Sequence, residues 1–161
     1  MSDPSADDLS HYRADGSAHM VDVSEKATTT RIATATASFL SRADVIDRIM
    51  SGDLPKGEAI ATARIAGILA AKRTSDLIPL CHPLPISHVT IDFDSLGDSI
   101  AISATVKTTS QTGVEMEALT AVSVAALTIY DMVKAVDRAA VITDIQVAAK
   151  TGGTHDWQRD A

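Results

Sequence analysis

The sequence predicts an α+β protein organised around an antiparallel sheet. Three observations point there. Residues 27–38, 86–94, 100–106 and 141–149 alternate with period two. Residues 58–73 and 114–137 carry apolar side chains at helical spacing. Leu96-Gly97-Asp98 joins two of the alternating runs as a hairpin turn.

The elements follow in order. Residues 1–19 are polar, with six Asp or Ser among the first ten, and read as a disordered tail. Residues 27–38 alternate β-branched and small side chains, as a strand does. Ser41 followed by Asp44 resembles a capping box with Asp in place of Glu, and the helix it opens ends near Met50 at Ser51-Gly52-Asp53. Leu54-Pro55-Lys56-Gly57 is a turn. In 58–73, Ile60, Ala61, Ile65, Ile68 and Leu69 repeat at helical spacing, and Ala63, Ala66, Gly67 and Ala70 imply a close helix–helix approach. Three prolines in residues 77–85 make that stretch an ordered loop. In the hairpin, Val89, Ile91 and Phe93 share one face, with His88, Thr90 and Asp92 on the other. Residues 114–137 form a long helix without Gly or Pro, and 141–149 a last strand.

Strand, helix pair, strand, strand, helix, strand is the order of a ferredoxin-like split βαβ unit with an extra helix and a four-stranded antiparallel sheet. One domain spans 20–153, followed by a flexible tail at 154–161. Helices on one face leave the other face of the sheet open, and its small apolar residues would meet water unless a second subunit covers them. Oligomerisation is therefore expected.

Composition narrows the function classes. The 161 residues suffice for one domain with a real core, 45% hydrophobic but only 3% aromatic. A net charge of -7 argues against broad binding to nucleic acid or anionic membranes. The single cysteine, Cys81, excludes an internal disulfide, and no Cys/His spacing suggests zinc. No apolar run reaches bilayer length, and the acidic start is unlike a signal peptide. A soluble cytoplasmic protein is expected.

Titratable groups stand out against this apolar background, where uncompensated charge is costly. Glu115 and Glu117 open the long helix. They either complement its dipole or accept hydrogen bonds from a ligand's N–H groups. Asp131 and Lys134 share a helix face, by default as a surface ion pair, but among Ile129, Tyr130, Met132, Val133 and Val136 at least partial burial is expected, which suits an acid/base pair. His82 sits in a loop made rigid by Pro79 and Pro83, as a structural or a ligand-contacting histidine. Cys81 reads as packing or a backbone contact, and His88 as an ordinary strand residue. Lys56 before a helix start and Lys150 at the end of the last strand are solvated or anion-binding. Lys72-Arg73 reads equally well as a helix C-terminal charge pair. Glu117 and Asp131 are 14 residues apart, about 21 Å along one helix. They belong to two sites, or to one site assembled from two subunits, which is the preferred reading.

Several long motifs occur together: ATARIAGILAAKRT, DLIPLCHPL, TGVEMEALTAVSVAALTIYDMVKAV, AKTGG, and the segment from His19 to Lys26. Over residues 16–153 the chain resembles the cyclic pyranopterin monophosphate synthase family of molybdenum cofactor biosynthesis. The resemblance implies a ferredoxin-like homohexamer, a trimer of dimers with active sites at subunit interfaces. It implies a lyase that rearranges 3′,8-cyclised dihydro-GTP to cyclic pyranopterin monophosphate and releases diphosphate. It places the catalytic pair on Asp131 and Lys134. Substrate-binding positions fall on Leu80, Cys81 and His82, on Met116 and Glu117 with Glu115 adjacent, on Lys56 and Lys150, and on Asp22 and Lys26. That chemistry suits the residues. Lys134 and Asp131 would transfer protons, Lys56, Lys26 and Lys150 would meet the triphosphate, and Glu115 and Glu117 would meet ring N–H groups. No redox cofactor is required. Magnesium could accompany the triphosphate, but no metal site is evident. One departure is Thr154-His155-Asp156-Trp157, where family members often carry another lysine. A regulatory binding module and a purely structural oligomer are the rival readings.

Overall fold

The computed structural model describes residues 15–160. Positions 1–14 of the expected N-terminal tail lie outside the described residues. The chain runs β1 (Thr29–Leu40), α1 (Ala43–Ser51), α2 (Ala59–Ala71), α3 (Thr74–Leu77), β2 (Ile86–Ser95), β3 (Ser99–Ser110), α4 (Glu115–Val133), β4 (Val141–Thr151) and β5 (Trp157–Gln158). The strands form one antiparallel sheet in the order β2-β3-β1-β4-β5.

The α+β class is as expected, but the four-stranded sheet is corrected to five strands. The fifth lies in the stretch read as a tail. The Gly152 N–H donates to Asp156 Oδ1 at 2.9 Å, which turns the chain back. Trp157 then pairs with Lys150 and Gln158 with Ala149. Two residues are too few to show an alternation. The capping box is also corrected. The residue before α1 is Arg42, which pairs with Asp44 at 2.9 Å, while the Ser41 hydroxyl donates to Asp137 Oδ2 at 2.7 Å. The end of α1 is as read: Gly52 has φ +76°, and Asp53 N–H reaches the Arg48 carbonyl at 3.0 Å. The short α3 and the buried Asp137, which also accepts the Ala139 N–H at 2.9 Å, carry no sequence signal.

The core lies between the sheet and α1, α2 and α4. On β1, Ala33, Ala35, Ala37 and Phe39 point inward, and on β3 Ile100, Ile102, Ala104 and Val106 do the same. α4 packs over these strands with Ala118, Ala121, Ala125 and Ile129 fully buried. The expectation that no apolar run reaches bilayer length is corrected: α4, 19 residues at a mean hydropathy of 1.4, is long and apolar enough, and the buried half of the helix is core.

Gly67 sets the α2–α4 spacing. A Cβ there would collide with Ile91 Cδ1 and lie 2.8 Å from the Ala121 carbonyl oxygen. The second contact is main chain and cannot swing aside. Gly67→Ala should therefore lower stability by about 1–2 kcal/mol, overpacking outweighing the gain in helix propensity. Urea denaturation checks this, and a variant as stable as the parent would show that the two helices have room to part.

The reason given for oligomerisation is corrected. The open face of the sheet presents Thr34, Thr36, Ser38, Ser103 and Thr105, all half-buried and polar, and Thr34 and Thr105 share a hydroxyl hydrogen bond of 2.9 Å. Large exposed apolar side chains lie both on the helices, as Ile65, Leu69, Leu77 and Leu127, and on the strands, as Leu40, Val141, Ile145 and Trp157.

Candidate active site

A cleft of about 330 Å³ opens where the 78–85 loop, residues 21–26 and the start of α4 meet. Its lining brings together Lys26, Leu80, Cys81, His82, Glu115, Met116 and Glu117. The loop is held at both ends. Cys81 N–H donates to the Ile78 carbonyl at 3.0 Å, and the Thr108 hydroxyl to the Pro85 carbonyl at 2.8 Å. His82 Nε2 donates to the Val21 carbonyl at 2.9 Å. A neutral ring bonded this way keeps Nδ1 as an acceptor. The 21–26 segment is tied in turn to the end of β3 by Gln111, whose amide donates to the Ser24 carbonyl at 3.1 Å. Asp22 does not line the cleft. Its Oδ1 accepts the Ser24 N–H at 2.9 Å, shaping the turn that presents Val21 and Lys26. That bond, with a second from the Ser24 side chain, lowers its carboxyl below the ordinary range.

The two glutamates at the mouth of α4 differ sharply. Successive helix positions are about 100° apart, so residues two apart face nearly opposite ways. Glu115 folds back beside Gly113, where any Cβ would collide with its carboxylate, and meets Lys150 Nζ at 3.1 Å. Glu117 turns inward and is 4% exposed. Burial, with some repulsion from Glu115, pushes its carboxyl up to about 7. Burial also raises the Cys81 thiol, and the charge of Glu117 adds to that. The thiol is thus kept protonated and unreactive.

A second cleft of about 240 Å³ adjoins the first through Thr112, Gly113 and Glu115, and holds Lys150, Arg31 and His155. Arg31 was not foreseen. Its Nε donates to the Ser110 carbonyl at 3.0 Å, and its guanidinium lies against Gly153. The signal was a cation on the inward parity of an otherwise Ala/Phe strand face. Among the described residues, no group of three or more His, Cys, Asp or Glu is gathered in a way that would hold a metal.

Asp131, Lys134 and Lys56 form a separate cluster at the far end of α4. Asp131 Oδ1 meets Lys134 Nζ at 2.7 Å and Oδ2 meets Lys56 Nζ at 2.8 Å. Lys56 Nζ also donates to the Asp131 carbonyl at 2.8 Å. The hydrogen bonds from Lys134 and then Lys56 hold Asp131 down at about 2, and Asp131 raises Lys134. The expected partial burial of this pair is corrected: the side chains are 56% and 53% exposed. They sit on the outer face of the helix, while Ile129, Met132 and Val133 face the core. In this setting Lys134 is a protonated donor. It becomes a base only if a closing surface or further positive charge lowers its pKa.

The chain resembles known proteins over nearly its full length. The model of the MoaC family matches residues 20–153. A Corynebacterium efficiens protein named cyclic pyranopterin monophosphate synthase is 59% identical over 151 residues, 93% of this chain and 97% of that protein. A Streptomyces griseus protein of the same name is 58% identical over 154 residues, covering 95% and 87%. A Mycobacterium tuberculosis protein named cyclic pyranopterin monophosphate synthase 2 is 58% identical over 159 residues, covering 98% and 95%.

Proposed function

The chain belongs to the MoaC family, and from that membership we propose that it is a cyclic pyranopterin monophosphate synthase of molybdenum cofactor biosynthesis. Its substrate is (8S)-3′,8-cyclo-7,8-dihydroguanosine 5′-triphosphate, and its products are cyclic pyranopterin monophosphate and diphosphate. The reaction is that of a phosphorus–oxygen lyase, carried out in the cytoplasm. The sheet order with β5 set aside reads as the ferredoxin-like split βαβ unit.

The observation that carries this reading at the site is the pairing of two adjoining clefts. The first holds Glu115 and Glu117 together with Lys26, and the second holds Arg31 and Lys150 beside the shared Glu115, a graded pair that suits a ligand with a purine-derived ring at one end and a phosphate chain at the other. The ring lies in the first cleft against Leu80, Cys81, His82, Met116 and Glu117. The phosphates meet Lys26, Lys150 and Lys56. Ring opening and closure need protons moved, and closing the cyclic phosphate needs a hydroxyl deprotonated as diphosphate leaves. Asp131 and Lys134 serve these steps. Asp22 supports the site by shaping its turn.

Glu117 and Asp131 lie about 21 Å apart on the unbroken α4, so one chain does not bring both clusters to one substrate. We therefore read the site as shared between copies in a homohexamer, a trimer of dimers. The exposed Ile65, Leu69, Leu77 and Leu127 supply apolar surface for assembly. A partner surface over Asp131 and Lys134 would also provide the burial that Lys134 needs for proton transfer.

Incubation with the cyclised dihydro-GTP should yield diphosphate and the pterin product in equal amounts. Binding of the substrate with neither product formed would leave a binding module instead.

A further inference from the structure

β5 is ordered without being buried. Trp157 and Gln158 are both exposed, and neither belongs to the core. Ordering a terminal segment costs conformational entropy, and here no buried apolar surface offsets it. Polar contacts fix the strand instead. The Arg159 N–H donates to the Ala148 carbonyl at 2.8 Å and its Nε to the Val147 carbonyl at 3.2 Å, while its guanidinium lies 5.3 Å from the centre of the Trp157 ring. These contacts hold the turn between β4 and β5 in place, and the turn is pressed against the start of β1. The Thr29 hydroxyl donates to the Gly152 carbonyl at 2.7 Å. A Cβ on Gly152 would collide with the Thr30 carbonyl, and one on Gly153 would lie 3.1 Å from the Arg31 guanidinium. Asp156 closes the turn by accepting the Gly152 N–H, which engages its carboxylate. The side chains that this turn brings to the second cleft are those of Thr154 and His155. His155 is exposed, and among the described residues its ring meets no hydrogen-bond partner.

We infer that His155 is a phosphate-binding residue of the second cleft, and that β5 and its turn hold it there. Its imidazole N–H donates to the diphosphate end of the substrate, beside Lys150. The inference rests on the substrate assignment above and adds one group to it. The cations already in the cleft are partly engaged. Lys150 meets Glu115 at 3.1 Å, and Arg31 gives its Nε to the Ser110 carbonyl, which leaves the two terminal nitrogens of its fork. With Glu115 beside them, these two cations fall short of the charge of a diphosphate, whose oxygens accept several hydrogen bonds. An imidazole carries a donor N–H in both its neutral and its protonated form, so His155 serves in either. An anion entering the cleft meets it without displacing an existing partner.

The probe is inorganic diphosphate, the leaving end of the substrate without its base. In titration calorimetry of the full chain at neutral pH, His155→Ala should weaken diphosphate binding roughly fivefold. His155→Lys restores a donor and should return binding to within about twofold of the parent. Asp156→Ala opens the turn and also removes a negative charge beside the cleft. Charge alone would tighten diphosphate binding in that variant, so weaker binding there reports the placement of His155. In turnover of the cyclised dihydro-GTP, His155→Ala should raise KM by a similar factor and leave kcat nearly unchanged. Diphosphate binding unchanged in His155→Ala, a loss that His155→Lys does not recover, tighter binding in Asp156→Ala, or no diphosphate binding by the parent would each overturn the inference. The outcome separates from that of the enzymatic reading. Product formation with diphosphate binding indifferent to His155 removes this inference alone, whereas His155-dependent diphosphate binding without product formation removes the synthase activity and leaves the anion site.

Discussion

Asp131→Asn should slow diphosphate release from the cyclised dihydro-GTP by roughly 10²–10⁴-fold, the range a positioned acid/base group contributes. The substitution keeps the side-chain shape and removes the charge that accepts from Lys134 at 2.7 Å and Lys56 at 2.8 Å. Both lysines then lose the partner that fixes them. Since the Asp131 side chain is 56% exposed, the fold has little stake in it, and thermal unfolding should hardly move. The same variant tests whether the site is shared. If Asp131 and Glu117 serve one substrate from different copies, mixing Asp131→Asn with Glu117→Gln and letting subunits exchange regenerates intact sites, roughly a quarter of the total at equal mixing. If each chain completes its own site, no activity returns. A loss below tenfold in Asp131→Asn would take Asp131 out of the chemistry.

Glu117→Gln should make the unliganded protein more stable than the parent at pH 8, by on the order of 3 kcal/mol, and leave the two alike near pH 4.5. The sign follows from the direction of the shift. Burial raises the Glu117 carboxyl from 4.5 to about 7 in the folded chain. The neutral acid therefore costs nothing below pH 4.5. As pH rises from 4.5 to about 7 the unfolded chain ionises while the folded chain still holds its proton, so stability falls across that window and levels off above it. Asp131, held down near 2, titrates well below it and adds no slope there. Urea unfolding of parent and variant at pH 5 and 8 measures the effect. Parallel stabilities at both pH values would mean that Glu117 is charged and solvated in the free protein.

The helices and strands with long-range sequence rhythm were legible from the sequence. The alternation on β1, the hairpin with Gly97 at φ +91° and the Gly-free run of α4 each express one packing face repeated many times. What escaped notice was short or non-local. α3 and β5 have too few residues to show a period. The ends of α1 were read unevenly, because the hydroxyl of Ser41 is drawn off to Asp137, 96 residues away. At the site, the sequence grouped the Cys-His loop with the helix mouth, and the cleft brings them together. It did not reveal that Lys56 would tie itself to Asp131 across 75 residues, since no local pattern encodes such a contact. The opposite facing of Glu115 and Glu117 was available from helix geometry alone, and with it the inference that one of the two is buried.

The inward face of β1 and the part of α4 above it are built largely from alanine: Ala33, Ala35 and Ala37 below, Ala118, Ala121 and Ala125 above. Truncation scanning, the usual way to rank core positions, is therefore blind along this seam, because there is nothing left to trim. The seam responds instead to enlargement. Each added methyl group has to lift the helix that carries Glu117 at one end and Asp131 at the other. A library of Ala→Val changes would map how far the spacing of helix and sheet fixes the positions of both clusters, something no loss-of-side-chain experiment can reach.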